Sequence, residues 1–141
     1  MLKPGVLPRR LAGRVINRFE QKGLNIIALK MIKPAISLIE AHYREHKDRD
    51  YYEKLLEYTF SGPIIVMILE GKDAITLARR MAGPAKILES QPGTIRGDFA
   101  SSVRLNIVHT SDSIENAERE SSLFFTDDEI LSWEDGNAKW F

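Results

Sequence analysis

PIIVMILE, residues 63–70, is an almost uninterrupted apolar run that Gly71 ends. A short apolar run of this kind is typical of a strand buried in a sheet. Leu24–Met31 (LNIIALKM) is also short and rich in isoleucine and leucine, which favours a second strand. Asn106–His109 is a shorter candidate. Together these segments predict a sheet.

Helices are predicted where apolar residues recur at helical spacing. In Arg10–Lys22, the residues Leu11, Val15 and Phe19 fall on one face. Gly83–Phe99 has no period and holds several glycines and prolines, so it is predicted to be a long loop, a kind that is usually functional or disordered. The other predicted helical segments are Ala35–His46, Tyr52–Phe60, a helix capped by Asp73 that runs to about Met81, a helix capped by Ser113 that runs to about Phe125, and a short piece over Asp127–Trp133.

The order of these segments predicts an α+β fold. Only Met1–Pro4 precedes the first helix, so the first strand is expected to be truncated. Counted with that stub, the chain completes two β-α-β units, which is the ferredoxin-like plan. We therefore expect a single domain over residues 1–141, a ferredoxin-like sandwich in which helices cover a four-stranded antiparallel sheet.

Composition excludes several classes of protein. The 141 residues hold 20 Lys and Arg and 20 Asp and Glu, a net charge of 0, and 43% are hydrophobic. These values argue against a disordered chain and against a strongly basic nucleic-acid-binding protein. The longest apolar run, Ile64–Leu69, is far shorter than the roughly 20 residues that span a bilayer, so no membrane association is expected. The absence of cysteine excludes thiolate catalysis, and the lack of an apolar signal segment favours a cytoplasmic location.

His109 is the strongest candidate for a reactive group. It ends the apolar segment Asn106–His109, just before the last predicted helix, whose start offers N–H groups to an anion. A neutral imidazole is a good nucleophile near physiological pH. Glu120 lies two helical turns beyond Ser113 and can return towards His109 or towards Ser111. The alternative is a buried, hydrogen-bonded strand histidine.

The other two histidines, His42 and His46, are four residues apart on one predicted helix. This spacing can bind a metal ion, but no third histidine or cysteine supports it. We therefore predict two solvated helix residues.

The segment PGTIRGDF (92–99) is the second chemical signal. Its glycines allow close approach of the backbone to a ligand, and Arg96 supplies a planar fork suited to phosphate oxygens. Arg79 and Lys3 are further candidate cations, because phosphoryl transfer depends mainly on positioned positive charge. The alternative is a turn held by an Arg96–Asp98 salt bridge.

Five separated blocks, in order and with few if any gaps, resemble the nucleoside diphosphate kinase family: RFEQKG (18–23), HYREHKDRDYY (42–52), SGPIIVMILEG (61–71), PGTIRGDF (92–99) and NIVHTSDSIENAERE (106–120). The resemblance implies a ferredoxin-like α+β sandwich. It also implies transfer of the terminal phosphate of a nucleoside triphosphate to a nucleoside diphosphate, by a ping-pong route through a phosphohistidine.

The resemblance implies a role for each matching position. His109 matches the phosphorylated histidine, which attacks through its δ1 nitrogen. Glu120 matches the acid that holds the other ring nitrogen, and Ser111 matches the serine that hydrogen-bonds that acid. Lys3 and Asn106 match residues that contact the ribose. The remaining matches are Arg79 and Arg96 at the phosphates, Tyr43 beside the histidine, Tyr51 stacked on the base where the family usually has Phe, and Leu55 and Val103 at the border of the same cleft.

The resemblance also implies cofactor and partners. Mg²⁺ is expected to bind mainly through the nucleotide phosphates and water, with no protein ligand. Nucleoside di- and triphosphates are the expected substrates, and a homo-oligomer, a hexamer or tetramer built from dimers, is the expected assembly. No specific nucleic acid is expected to bind.

Several positions depart from the family pattern. Ala85 stands where a threonine usually contacts phosphate, and the adjacent Lys86 is a candidate to compensate. Thr110 replaces the glycine that usually follows the histidine, and a β-branched residue disfavours a positive φ there. Gly5 replaces an aspartate, and the first strand is shorter.

Two other functions are consistent with parts of the sequence. The short first strand and Ala85 suggest a non-catalytic nucleotide-binding or interaction module on the same fold. The basic N-terminal third suggests an RNA-binding domain, but Leu24–Met31 and Pro63–Glu70 carry none of the aromatic residues that such sheets present to RNA.

Overall fold

The computed structural model describes residues 1–136 and 138–140. Its two strands are β1 (Asn25–Ile32) and β2 (Ile64–Glu70), which pair antiparallel with an irregularity between Ile26 and Ala28. Both lie where apolar runs predicted them.

The sheet continues beyond β2 as single bridges. Leu2 pairs antiparallel with Ile65 on one side and with Val108 on the other. The spatial order is therefore Val108, Leu2, β2 and β1, as in a ferredoxin-like sheet. The predicted fold class is confirmed. Two of the four expected strands, however, appear only as bridges within the described residues.

The predicted strand Asn106–His109 was wrong as a regular element. Ile107 has φ 59°, and the Val108 N–H donates to the Asn106 carbonyl at 2.7 Å. A positive φ with an i to i+2 hydrogen bond is a γ-turn, a strained conformation for a β-branched residue. The turn interrupts the extended backbone just before His109.

Six α-helices are present in the described residues: α1 (Ala12–Gln21), α2 (Ile36–His42), α3 (Tyr52–Phe60), α4 (Ala74–Ala82), α5 (Ile95–Phe99) and α6 (Ile114–Phe124). Short 3₁₀ turns cover Pro4–Val6, Arg44–His46, Ile87–Glu89, Asp127–Glu129 and Ala138–Trp140. None of these helices has the length and apolar character needed to cross a membrane.

Several helix predictions need correction. The predicted helix Ala35–His46 divides at Tyr43 into α2 and a 3₁₀ turn. Asp73 precedes α4 with φ 54° and makes no side-chain cap, whereas Ser113 does cap α6. The predicted loop 83–99 contains α5, because the Thr94 hydroxyl accepts from the Gly97 N–H at 3.0 Å and starts a helix. The predicted piece 127–133 ends at Glu129.

The core lies on both faces of the sheet because successive β2 side chains alternate. Ile65 packs with the buried residues of α1 and α4, whereas Ile64 and Val66 pack with those of α2, α3 and α6. Leu2, 1% exposed, lies in the first of these clusters. The next residue, Lys3, lies close to His109, because its backbone N–H donates to the Ile107 carbonyl at 2.9 Å.

Candidate active site

His109 is held by its backbone and by one ring nitrogen. Its N–H donates to the Met1 carbonyl at 2.9 Å, and its carbonyl accepts from the Met1 amine at 2.9 Å. Nε2 lies 2.8 Å from Glu120 Oε2, and the Ser111 hydroxyl donates to that same oxygen at 2.8 Å. The imidazole is 22% exposed, so the strand-histidine alternative of a fully buried ring does not hold. An Nε2–H bonded to Glu120 leaves the lone pair on Nδ1.

The charges of this pair follow from their surroundings. Burial alone would raise the pKa of Glu120, but the hydrogen bond and charge of His109, with the Ser111 bond, lower it to about 2. Burial lowers the pKa of His109, and Glu120 opposes that shift. Glu120 is therefore ionised and His109 is neutral near pH 7, which is the state a nucleophilic imidazole needs.

His42 corrects the prediction of a solvated residue. It is 3% exposed, and its ring meets the His109 ring edge-on with centroids 4.5 Å apart. Burial and then the nearby His109 lower its pKa to about 2. Helical spacing could have predicted the burial of His42. Ile39 lies one turn earlier on α2, is fully buried and points to the same inward face.

His46 ends the 3₁₀ turn that follows α2, and it was also predicted to be solvated. It is half-buried, and its Nδ1 lies 2.8 Å from the Tyr51 hydroxyl. The two histidines thus face different surroundings.

A cleft of about 940 Å³ opens beside His109. This volume suits a nucleotide-sized ligand. Tyr51 is 50% exposed and Val103 is 57% exposed on its walls. Ser111 lies behind Glu120 and does not line the cleft. The predicted site residues that line it are Lys3, Tyr43, Tyr51, Leu55, Arg79, Arg96, Val103, Asn106, His109 and Glu120.

Arg96 forms hydrogen bonds to two separate segments that line the cleft. Its Nη1 donates to the Gly83 carbonyl and its Nη2 donates to the Val108 carbonyl at 2.7 Å. Each nitrogen keeps a second hydrogen for an anion. Gly83 has φ 77°, and a Cβ there would lie 2.6 Å from Thr94 Oγ1, so this backbone position requires glycine.

The alternative pairing of Arg96 with Asp98 is wrong. Asp98 instead pairs with Arg18 and accepts from the Gly93 N–H at 2.8 Å. Arg79 is exposed at the cleft, and Lys3 is buried, where desolvation and then the charge of Arg96 lower its pKa to about 7. The three predicted cations therefore share one cleft with His109.

The family model described as nucleoside diphosphate kinase matches residues 1–130. The chain belongs to the nucleoside diphosphate kinase family. It is 48% identical over 140 residues to a nucleoside diphosphate kinase of Archaeoglobus fulgidus, covering 99% of this chain and 93% of the relative. It is 50% identical over 134 residues to one of Methanothermobacter thermautotrophicus, covering 95% and 89%.

Solved structures of nucleoside diphosphate kinases share the fold. A family protein from Babesia bovis superposes with a TM-score of 0.93 at 41% identity, over 99% of this chain and 94% of that one. A halophilic nucleoside diphosphate kinase from Halobacterium salinarum, solved in complex with CDP, gives 0.95 at 35% identity over 99% and 93%.

The departures from the nucleoside diphosphate kinase pattern have structural counterparts. Ala85 lines the cleft, but Lys86 does not and pairs with Glu89 at 3.1 Å, so the expected compensation by Lys86 is wrong. Thr110 has no positive φ, whereas Ile107 does. At Gly5 a Cβ would lie 2.7 Å from the buried Tyr58 hydroxyl, so an aspartate would not fit there without movement of Tyr58.

The buried His42 predicts acid sensitivity of this kinase fold. The pKa is about 2 in the folded chain and 6.5 when unperturbed, so below pH 6.5 the unfolded chain binds a proton that the folded chain does not. The free energy of unfolding should then fall by up to about 1.4 kcal/mol per pH unit, or about 2 kcal/mol from pH 7 to pH 5. Urea unfolding of wild type and His42→Phe at both pH values measures this. Equal losses in the two proteins would contradict the assignment.

Proposed function

We propose that His109 is the residue through which this nucleoside diphosphate kinase passes the terminal phosphate of a nucleoside triphosphate to a nucleoside diphosphate. One observation carries this proposal. Nε2 of His109 is bonded to the ionised Glu120 while the ring lines a nucleotide-sized cleft, which leaves the Nδ1 lone pair to react. The activity itself follows from family membership.

The chemistry proceeds in two displacements. Nδ1 of His109 attacks the terminal phosphorus, the bond from that phosphorus to the bridging oxygen breaks, and the nucleoside diphosphate leaves with the electron pair. Glu120 stabilises the positive charge that develops on the ring, because its carboxylate accepts a hydrogen bond from Nε2–H at 2.8 Å. A terminal oxygen of the second nucleoside diphosphate then attacks the phosphorus, and the N–P bond breaks.

The cations of the cleft neutralise the phosphates during transfer. Arg96 and Arg79 are proposed to hold the β- and transferred phosphates. Lys3 is proposed to bind the ribose together with Asn106. The pKa of Lys3 is lowered to about 7, partly by the charge of Arg96. We expect a bound anion to raise this pKa again, so that Lys3 is protonated when nucleotide is bound.

The nucleoside end of the cleft predicts broad acceptance of bases. Tyr51 is proposed to stack on the base, with Leu55 and Val103 bordering it, and Tyr43 lies beside His109 with ring centroids 5.8 Å apart. Stacking without hydrogen bonds to base edges discriminates weakly among bases.

Mg²⁺ fits this cleft through the nucleotide and not through carboxylates of the chain. Glu120 is engaged with His109 and Ser111, Asp112 accepts from Asn116 at 2.8 Å, and Glu45 pairs with Arg119 at 3.6 Å. The phosphates and water are therefore its proposed ligands. When bound, the ion neutralises phosphate charge and orients the oxygens.

We also propose that residues 1–141 act as one domain in a cytoplasmic homo-oligomer, a hexamer or tetramer built from dimers. Leu29 is 47% exposed and Met31 is 62% exposed on β1, whose one edge lies away from β2. Apolar side chains on such a strand support a subunit contact there.

Isotope labelling tests the phosphohistidine. Incubation with ATP labelled at its γ-phosphate and Mg²⁺ should place about one acid-labile phosphate on each chain, which unlabelled nucleoside diphosphate should then remove. Thermal stabilisation by nucleotide without any label would instead support the non-catalytic module.

A further inference from the structure

Three potential metal ligands meet behind the proposed nucleophile. A ring nitrogen of His42, a ring nitrogen of His109 and a carboxylate oxygen of Glu120 lie within 4.8 Å of one another. Among the described residues, neither ring nitrogen of His42 has a hydrogen-bond partner, although the side chain is 97% buried. Burying a polar group without a hydrogen bond is unfavourable, so the absence of a partner requires an explanation.

The donor set selects the kind of ion. Two imidazoles and one carboxylate suit Zn²⁺ and related transition ions, and do not suit Mg²⁺, which prefers oxygen ligands. Imidazole binds a metal ion through the lone pair of a ring nitrogen, and among the described residues neither nitrogen of His42 is engaged in a hydrogen bond. Ligand atoms of a tetrahedral zinc site lie ~3.3 Å apart, so Nε2 of His109 and Oε2 of Glu120, which are 2.8 Å apart, must separate slightly, and ligand atoms that are up to 4.8 Å apart must approach.

We propose that His42, His109 and Glu120 form a site for Zn²⁺ or a similar transition ion, and that this ion inhibits the enzyme. Because Nε2 is the nitrogen of His109 that lies 2.8 Å from Glu120 Oε2, we place the ion on Nε2 and not on the nitrogen that we propose to attack phosphate.

Inhibition follows from the imidazole tautomer, and this step rests on the proposed role of His109. A metal ion on Nε2 displaces the proton that Nε2 shares with Glu120. A neutral ring coordinated through Nε2 carries its proton on Nδ1, so Nδ1 has no lone pair with which to attack phosphorus. The ion also removes Glu120 from its position as the hydrogen-bond acceptor of Nε2–H.

The positive charges around the three ligands are expected to limit the affinity of the site for a metal ion. Arg119 lies 3.7 Å from Glu120 Oε1, and the charge of Lys3 acts on His109. The Met1 amine also lies close to the site, because it donates to the His109 carbonyl at 2.9 Å. We therefore expect dissociation constants in the micromolar range, weaker than those of structural zinc sites.

Cobalt spectroscopy tests the site without turnover. Titration of the wild-type protein with Co²⁺ should produce the visible bands of a tetrahedral ion at one equivalent per chain, and Zn²⁺ should remove them. His42→Phe should weaken Co²⁺ binding at least tenfold, whereas His46→Phe, on the same stretch of chain but outside the cluster, should leave it unchanged. Absence of stoichiometric binding by wild type, or equal binding by correctly folded His42→Phe, would overturn the site.

Labelling with γ-labelled ATP tests the inhibition separately. Zn²⁺ should slow phosphorylation of the wild type at least tenfold, a chelator should restore the rate, and the rate of His42→Phe should respond to Zn²⁺ much less. Stoichiometric binding with no slowing would overturn the inhibitory role. Failure of wild type to accept label in the absence of Zn²⁺ would instead contradict the proposed function, and the cobalt titration would still decide the site.

Discussion

Replacement of His109 with alanine is expected to lower kcat by at least about 10⁴-fold, a loss of roughly 5.5 kcal/mol of transition-state stabilisation. The reason is that no other described side chain combines a neutral ring, a carboxylate on its far nitrogen and a place in the cleft. The measurements are steady-state phosphate transfer between ATP and a second nucleoside diphosphate, and acid-labile labelling of the protein.

His46→Ala is the matched control, since His46 lines the same cleft but bonds Tyr51 and not a carboxylate. It should still accept label. Nucleotide binding and thermal unfolding should show that His109→Ala remains folded. Retention of label by His109→Ala would transfer the acceptor role to another residue.

Replacement of Arg96 with lysine is expected to lower kcat/KM by about 10²-fold and the free energy of unfolding by about 2 kcal/mol. Lysine keeps the charge but cannot donate to the Gly83 and Val108 carbonyls at once, as the planar fork does. Val108 immediately precedes His109, so the loss displaces the reacting ring as well as a phosphate contact.

Enzyme kinetics and urea unfolding measure both effects of Arg96→Lys. Arg44→Lys is its control, because Arg44 is exposed and does not line the cleft. A normal kcat/KM in Arg96→Lys would show that a point charge suffices and that the two carbonyl contacts do not matter.

The fold was predictable where local pattern and tertiary structure agree. The apolar run 63–70 gave a strand buried on both faces, and the period in 10–22 gave α1. Helix α5 was not predicted within residues 83–99, because a five-residue helix that begins at the Thr94 cap is too short to show a helical period of apolar residues. The failure at 106–109 has another cause, since nothing local favours a left-handed isoleucine and the bridge between Leu2 and Val108 must hold it.

The site was predictable where its residues are close in sequence. The two-turn separation of Ser113 and Glu120 allowed for the contact with His109 that the structure shows. His42 was missed because its environment comes from distant residues. Phe124 on α6 and His109 both pack against its ring, and an i, i+4 histidine pair does not reveal such packing.

His109 lies three positions after Asn106, an odd number of steps along the chain. In a pleated ribbon their side chains would project to opposite sides, one into the cleft and one into the core. The positive φ at Ile107 breaks this alternation of side chains, so both Asn106 and His109 border the same cleft. A conformationally unfavourable isoleucine thus lets one short piece of backbone present both the proposed sugar-binding amide and the proposed phosphate acceptor to a single nucleotide.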